Sequence, residues 1–177
     1  MKSICVFCGS QTGNDSEFQD LAQHVGEHIA KNEYSLVYGG GSIGLMGLMA
    51  DACLTAGGSV TGIIPKHLSQ SETPHKKIQN LIVVEDMFQR KSEMERLSDG
   101  FLVLPGGMGT FDELFEMITL AQLKQHSKPV VLININGYFD LILQQIDHGE
   151  RSGFIKTKHR QLFLVANSIS DAFQYFQ

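Results

Sequence analysis

The run Pro105-Gly-Gly-Met-Gly-Thr110 has the composition of an anion cradle. Glycines let a backbone approach phosphate oxygens closely and take positive φ angles. A helix starting just beyond presents free amides and the positive end of its dipole. Thr110-Phe-Asp-Glu113 then reads as a capping box, with Thr110 at the N-cap and a glutamate three residues on. The same spacing sets a carboxylate one turn above a phosphate loop, near where a ribose would lie. Arg90-Lys91 supplies two cations within Asp86-Met-Phe-Gln-Arg-Lys-Ser-Glu-Met-Glu-Arg96. By pattern alone they belong to a solvated helix face shared with Glu93, Glu95 and Arg96.

Two further glycine clusters are Cys8-Gly-Ser10 and Tyr38-Gly-Gly-Gly-Ser-Ile-Gly44-Leu-Met-Gly47. Gly39-x-Gly41-x-x-Gly44 has the form of a dinucleotide fingerprint, which needs an acidic residue about 20 positions on. Residues 59–64 read Ser-Val-Thr-Gly-Ile-Ile, with no acid, and no Gly-Lys-Ser/Thr run is present. The glycine loops therefore suit a mononucleotide better than NAD or ATP.

Loops of this kind need strands to place them. Apolar runs at Ser3–Cys8, Ser35–Tyr38, Ser59–Ile64, Leu81–Glu85, Phe101–Leu104, Val130–Ile133 and Gln161–Val165 read as strands. Several are apolar on both faces, as parallel strands covered on both sides must be. Helical stripes alternate with them: Phe18, Leu21, Ala22, Val25 and Ile29, then Leu114, Phe115, Ile118, Ala121 and Gln122. The predicted fold is α/β, a Rossmann-like, doubly wound parallel sheet of about seven strands with helices on both faces. Residues 1–177 make one domain, and ligands of such a sheet bind at the carboxyl ends of its strands. Each glycine cluster follows a strand. The irregular stretch 65–79 reads as a loop or lid.

Composition removes several function classes. The formal charge is −5, and no Lys/Arg run exceeds two residues, which argues against nucleic acid as a partner. No apolar run reaches 18 residues, so no membrane span is expected. Three cysteines behind an N-terminus that reads as a strand point to a reducing, cytoplasmic setting. His24-Val-Gly-Glu-His28 has the form of an inverted zinc motif, but it lies on a helix away from the carboxyl-end loops and reads as a helix face. Cys5 and Cys8 lie three apart in a strand, so they point to opposite faces and cannot chelate together.

Met87-Phe-Gln-Arg-Lys91 followed by Ser98-Asp-Gly-Phe-Leu-Val-Leu-Pro-Gly-Gly-Met-Gly-Thr-Phe-Asp-Glu113 resembles the LOG (Lonely Guy) family of cytokinin-activating phosphoribohydrolases. Phe7-Cys-Gly-Ser10, Val37-Tyr-Gly-Gly-Gly41, Lys128-Pro129, Asn136-Gly-Tyr-Phe-Asp140 and Gly153-Phe154 extend the likeness over almost the whole chain. The resemblance implies hydrolysis of the N-glycosidic bond of a nucleoside 5′-monophosphate, giving ribose 5-phosphate and adenine or an N6-prenylated adenine. It implies Arg90 and Glu113 as catalytic residues. Substrate contacts would fall on Glu72, Arg90, Lys91, Gly106, Gly107, Met108, Gly109, Thr110, Phe111, Asp112, Glu113 and Thr119, with Ser10 and Gly41 joining the phosphate site. No metal and no cofactor is required.

A homodimer is also implied, with the helices around residues 86–98 and 109–126 at its interface. Met87, Met94, Leu97, Met117 and Leu120 serve there either as interface or as internal core. Phe88, Met108, Phe111-Asp112 and Leu120 replace a common histidine, tyrosine, Leu-Glu and tryptophan, departures that bear on base preference. Members have been labelled lysine decarboxylases, but that chemistry needs a Schiff-base lysine and a pyridoxal pocket, and Lys91 beside a phosphate site is a meagre candidate. Two other readings stand beside the main one: a general purine nucleoside 5′-monophosphate nucleosidase, and a non-catalytic nucleotide or cofactor carrier. The Arg90–Glu113 pair favours an enzyme over a carrier.

Overall fold

The computed structural model describes residues 2–70 and 73–177. Seven parallel strands form one sheet: β1 (Ser3–Phe7), β2 (Ser35–Tyr38), β3 (Ser59–Pro65), β4 (Asn80–Val84), β5 (Gly100–Val103), β6 (Val130–Ile133) and β7 (Leu164–Ala166). Their order is β4-β3-β2-β1-β5-β6-β7. The chain winds outward from β1 in one direction and from β5 in the other. β1 and β5 are therefore the switch point, where carboxyl-end loops diverge and leave a crevice. Their register sets Val6 beside Leu102 and Phe7 beside Val103.

The helices are α1 (Ser16–Lys31), α2 (Gly44–Thr55), α3 (Met87–Arg96), α4 (Met108–Gln122), α5 (Asp140–Arg151), α6 (Thr157–Arg160) and α7 (Ile169–Phe173). Alternation along β1 assigns the two layers. Ile4, Val6 and Cys8 pack with Leu21, Val25 and Ile29 of α1, Met49 and Cys53 of α2, and Phe173 of α7. Cys5 and Phe7 pack with Met94 of α3, Leu114 and Met117 of α4, and Ile146 of α5. Each fully buried aliphatic or aromatic side chain contributes roughly 1.5–3 kcal/mol, against about 1 kcal/mol for a helix cap. The doubly apolar strands thus decide the layering, and the caps only trim helix ends.

The expected architecture is present, with local corrections. Gln161–Phe163 is not strand: Leu162 N–H donates to the His159 carbonyl and prolongs the α6 turn, so β7 begins at Leu164. Thr110 is not an N-cap. Gly107, extended at φ −93° and ψ −154°, holds that place, and α4 begins at Met108. The buried face of α4 is consequently Thr110, Glu113, Leu114 and Met117, while Phe115, expected in the stripe, is exposed. Cys5 and Cys8 do face opposite layers. His24 is exposed, and His28 lies 4.3 Å from the Phe173 ring.

The stretch after β3 is strapped to the second glycine loop. Pro74 bridges to Gly41, His75 N–H donates to the Gly40 carbonyl (3.0 Å), and Ser42 donates through N–H (3.0 Å) and Oγ (2.8 Å) to the Thr73 carbonyl. No helix among the described residues is long and apolar enough to cross a membrane.

Candidate active site

A cavity of about 160 Å³ opens at the carboxyl edge between β1 and the amino ends of α3 and α4. Its walls come from Phe7, Cys8 and Ser10 at the end of β1, Gly39 after β2, Met46 on α2, Met87, Arg90 and Met94 on α3, and Gly107, Met108, Gly109, Thr110 and Glu113 of α4.

The first turn of α4 forms the anion-attracting wall. Amides at the start of a helix have no intrahelical acceptor. Gly107, at the N-cap, makes no side-chain cap bond among the described residues, and no acidic side chain occupies the first turn. A Cβ on Gly107 or Gly109 would meet nothing within 4 Å, so the backbone there is open to an incoming group. The comparable turn of α2 is closed: Leu45 and Met46 amides point at the Gly9 carbonyl (3.0 and 3.4 Å). Two similar glycine loops therefore have different fates.

Glu113 lies one helical turn beyond Gly109 on the same face, with only 7% of its surface exposed. Arg90 reaches the same cavity from α3 and is 6% exposed, which corrects the solvated-face reading of Arg90-Lys91. Its Nε donates to the Ile63 carbonyl (3.1 Å) and its Nη2 to the Gly39 carbonyl (2.7 Å), the first near the end of β3 and the second just after β2. These neutral acceptors orient the guanidinium without cancelling its charge, and three of its five N–H donors are not taken by them. Gly39 makes this approach possible, since a Cβ there would stand 2.1 Å from Arg90 Nη2.

Lys91 is buried too, but it faces α4. Its Nζ pairs with Asp112 Oδ2 at 2.9 Å and with Glu116. Burial pulls the Lys91 pKa down, and the hydrogen bonds its ammonium donates to Glu116 and Asp112 more than reverse this, so the ammonium is held charged.

Of the other expected contacts, Ser10, Gly107, Met108, Gly109 and Thr110 join Arg90 and Glu113 in the cavity wall. Gly41 is in the bridge to Pro74, and Phe111 packs into the core. Asp112 holds Lys91, and Thr119 is exposed with its hydroxyl on the Phe115 carbonyl. Gly106 borders a neighbouring cavity instead, and Glu72 lies outside the described residues. Cys8, Gly39, Met46, Met87 and Met94 were not singled out from sequence as cavity residues. Cys8 and Gly39 share a position just after a strand end, and Met87 and Met94 lie one turn from Arg90; Met46, in the first turn of α2, carries neither signal.

A family model described as "Possible lysine decarboxylase" matches residues 46–176. The probable cytokinin riboside 5'-monophosphate phosphoribohydrolase LOGL1 of Oryza sativa subsp. japonica is 48% identical over 163 residues, 92% of this chain and 73% of that protein. Cytokinin riboside 5'-monophosphate phosphoribohydrolase LOG4 of Arabidopsis thaliana is also 48% identical over 163 residues, 92% of this chain and 76% of its own length. This chain belongs to the LOG family. The LOG fold extends to distant solved structures. TM1055 superposes with a TM-score of 0.76 at 25% identity, covering 99% of this chain and 98% of its own. The molybdenum cofactor carrier protein of Chlamydomonas reinhardtii superposes with a TM-score of 0.74 at 21% identity, covering 99% and 95%.

The wording of the family model does not suit the site. A Schiff-base lysine must lose its proton to attack a carbonyl, and enzymes achieve this by depressing its pKa. Lys91 is held the opposite way by two carboxylates.

Burial also governs the thiols. It pushes Cys8 far up, with the Glu113 charge adding to the effect, and pushes Cys53 to about 11. Cys5 is raised for the same first reason, with Glu113 adding and Ser98 and Arg90 opposing. A thiol-disulfide reagent at pH 8 should label the native protein at least ~100-fold more slowly than free cysteine, all three cysteines reacting after unfolding. Fast labelling of Cys8 in the native protein would contradict this picture of the cavity wall.

Proposed function

We propose that this protein hydrolyses the N-glycosidic bond of nucleoside 5′-monophosphates of the adenine type, cytokinin riboside 5′-monophosphates and AMP among them, releasing the base and ribose 5-phosphate. The observation that carries the reading is the shared cavity: a buried carboxylate and a buried guanidinium, from different helices, beside one uncapped helix N-terminus. At about 160 Å³ this space is smaller than the ~300 Å³ and upward of pockets that enclose whole ligands. It suits the phosphoribosyl end, the base lying toward the mouth, where Met108 is 83% exposed.

In this account the phosphate sits on the Met108–Thr110 amides with the Thr110 and Ser10 hydroxyls. As the bond from C1′ to the base nitrogen breaks, the electron pair leaves with the base and the sugar becomes oxocarbenium-like. Glu113 stabilises that charge and takes a proton from the attacking water, whose oxygen bonds to C1′, while the departing base nitrogen takes a proton from solvent and Glu113 returns its own to solvent. Arg90, fixed by two carbonyls, holds the phosphoribosyl group by charge-assisted bonds. The step draws on no metal or cofactor. Neither membrane nor nucleic acid enters it, and the three free thiols suit a reducing compartment, here the cytosol.

A homodimer is part of the proposal. Met94 and Met117, two of the apolar positions on the expected interface helices, are internal core, and Leu97 and Leu120 pack partly against it. Phe88 and Phe115 project instead, 79% and 42% exposed, and Phe88 borders an apolar groove with Ile82 and Val84. A phenylalanine this exposed on α3 suits burial against a second copy.

Base release from AMP and a prenylated AMP should fall about 10²–10⁴-fold in Glu113→Gln and about 10²–10³-fold in Arg90→Ala. Gly39→Ala should approach the Arg90→Ala loss, because the new methyl displaces the guanidinium. Near wild-type rates in Glu113→Gln and Arg90→Ala would sink the assignment. In analytical ultracentrifugation the protein should sediment at twice its 19.6 kDa chain mass, and Phe88→Glu should shift it toward monomer. A wild-type monomer would remove the dimer from the account.

A further inference from the structure

A second cavity, of about 260 Å³, adjoins the active cavity at Ser10 and Gly107. Phe18, Leu45 and Tyr138 line it together with Gly9–Gly13 and Pro105–Gly107. Within it the Tyr138 hydroxyl donates to the Gly106 carbonyl at 2.5 Å. The preceding carbonyl, of Pro105, accepts from Gly9 N–H at 3.0 Å. Two successive carbonyls of the loop are thus held, one by β1's extension and one by a side chain arriving after β6.

In a trans peptide the C=O and the following N–H point in opposite directions. Fixing the Gly106 carbonyl toward Tyr138 therefore turns the Gly107 N–H away from Tyr138; Gly107 stands between the two cavities and lines both. The peptide lies between two glycines, the pair of residues least able to resist a flip by their own sterics. Gly106 cannot be traded for a stiffer residue, because a Cβ there would stand 2.1 Å from Thr110 Oγ1 and 2.8 Å from Gly9 N. The orientation of this peptide is held from outside the loop, by the Tyr138 hydroxyl.

Tyr138 is itself well fixed. Its ring meets Phe18 and Phe139 edge-on, with centroids 5.5 and 5.0 Å apart. The turn that carries it takes positive φ at Asn136 and Gly137, and Asn136 Nδ2 donates to Asp15 and Glu17 at the start of α1. We propose that Tyr138 is a positioning residue for the phosphate loop, its hydroxyl locking the Gly106–Gly107 peptide so that the Gly107 amide joins the Met108–Thr110 amides on the anion. This inference rests on the reading of that loop as the phosphate site.

Tyr138→Phe removes the hydroxyl and keeps the ring, so the fold and the thermal midpoint should hold. In the free variant the Gly106 carbonyl ¹³C signal should move upfield and the Gly107 amide signal should broaden or shift. Ribose 5-phosphate binding, measured by calorimetry, should weaken roughly three- to tenfold, the loss of one net hydrogen bond. KM for AMP should rise by a similar factor with kcat nearly kept, since the amide serves ground and transition states alike. An unmoved Gly106 carbonyl, or ribose 5-phosphate affinity within twofold of wild type, overturns the role of Tyr138 and leaves the phosphate reading intact. Failure of the wild-type protein to bind ribose 5-phosphate overturns both.

Discussion

Every parallel sheet brings the carbonyl ends of its strands and the amide ends of its helices to one edge, and each of those groups needs a partner. In this protein the pairing at that edge is uneven. The carbonyls of Ile63 and Gly39 take a guanidinium, that of Pro105 takes the Gly9 amide, and that of Gly106 takes a phenol. The α2 amides take the Gly9 carbonyl. The N-cap of α4, Gly107, makes no side-chain cap bond among the described residues, and it stands at the point where the sheet reverses its winding order.

This arrangement explains why charge is buried here. Removing Arg90 and Glu113 from water is costly unless each has partners that justify its ionised form. For Arg90 the partners are two carbonyls that a shifting side chain could not supply, and they depend on Gly39 having no Cβ. Each cysteine in the neighbourhood reads the result as a raised pKa, with Glu113 contributing at both Cys5 and Cys8. A chain of backbone contacts, not a network of exposed ion pairs, sets the site.

Much of this was legible in the sequence. Strands apolar on both faces, such as Phe101–Val103 and Val130–Ile133, can only be interior parallel strands, and the glycine clusters had to follow them. Local rules failed where backbone geometry overrode side-chain pattern. Thr110 and Glu113 have the spacing of a capping box, yet the Pro105-Gly-Gly turn starts the helix three residues sooner, turning both inward. Arg90 and Lys91 sit among charges that normally mark solvent, and only tertiary packing against β3 and α4 buries them. The closing of α2 by Gly9 and the reach of Tyr138 to Gly106 join residues 36 and 32 positions apart, beyond any periodic signal.

The proposed chemistry requires the phosphate on the opening turn of α4 and the reacting carbon at Glu113. A crystal structure of Glu113→Gln soaked with AMP tests it most directly. Phosphate oxygens should lie within hydrogen-bond distance of the Met108, Gly109 and Thr110 amides, with C1′ facing the residue 113 side chain. A phosphate seated on the α2 loop, or C1′ turned away from residue 113, would contradict it.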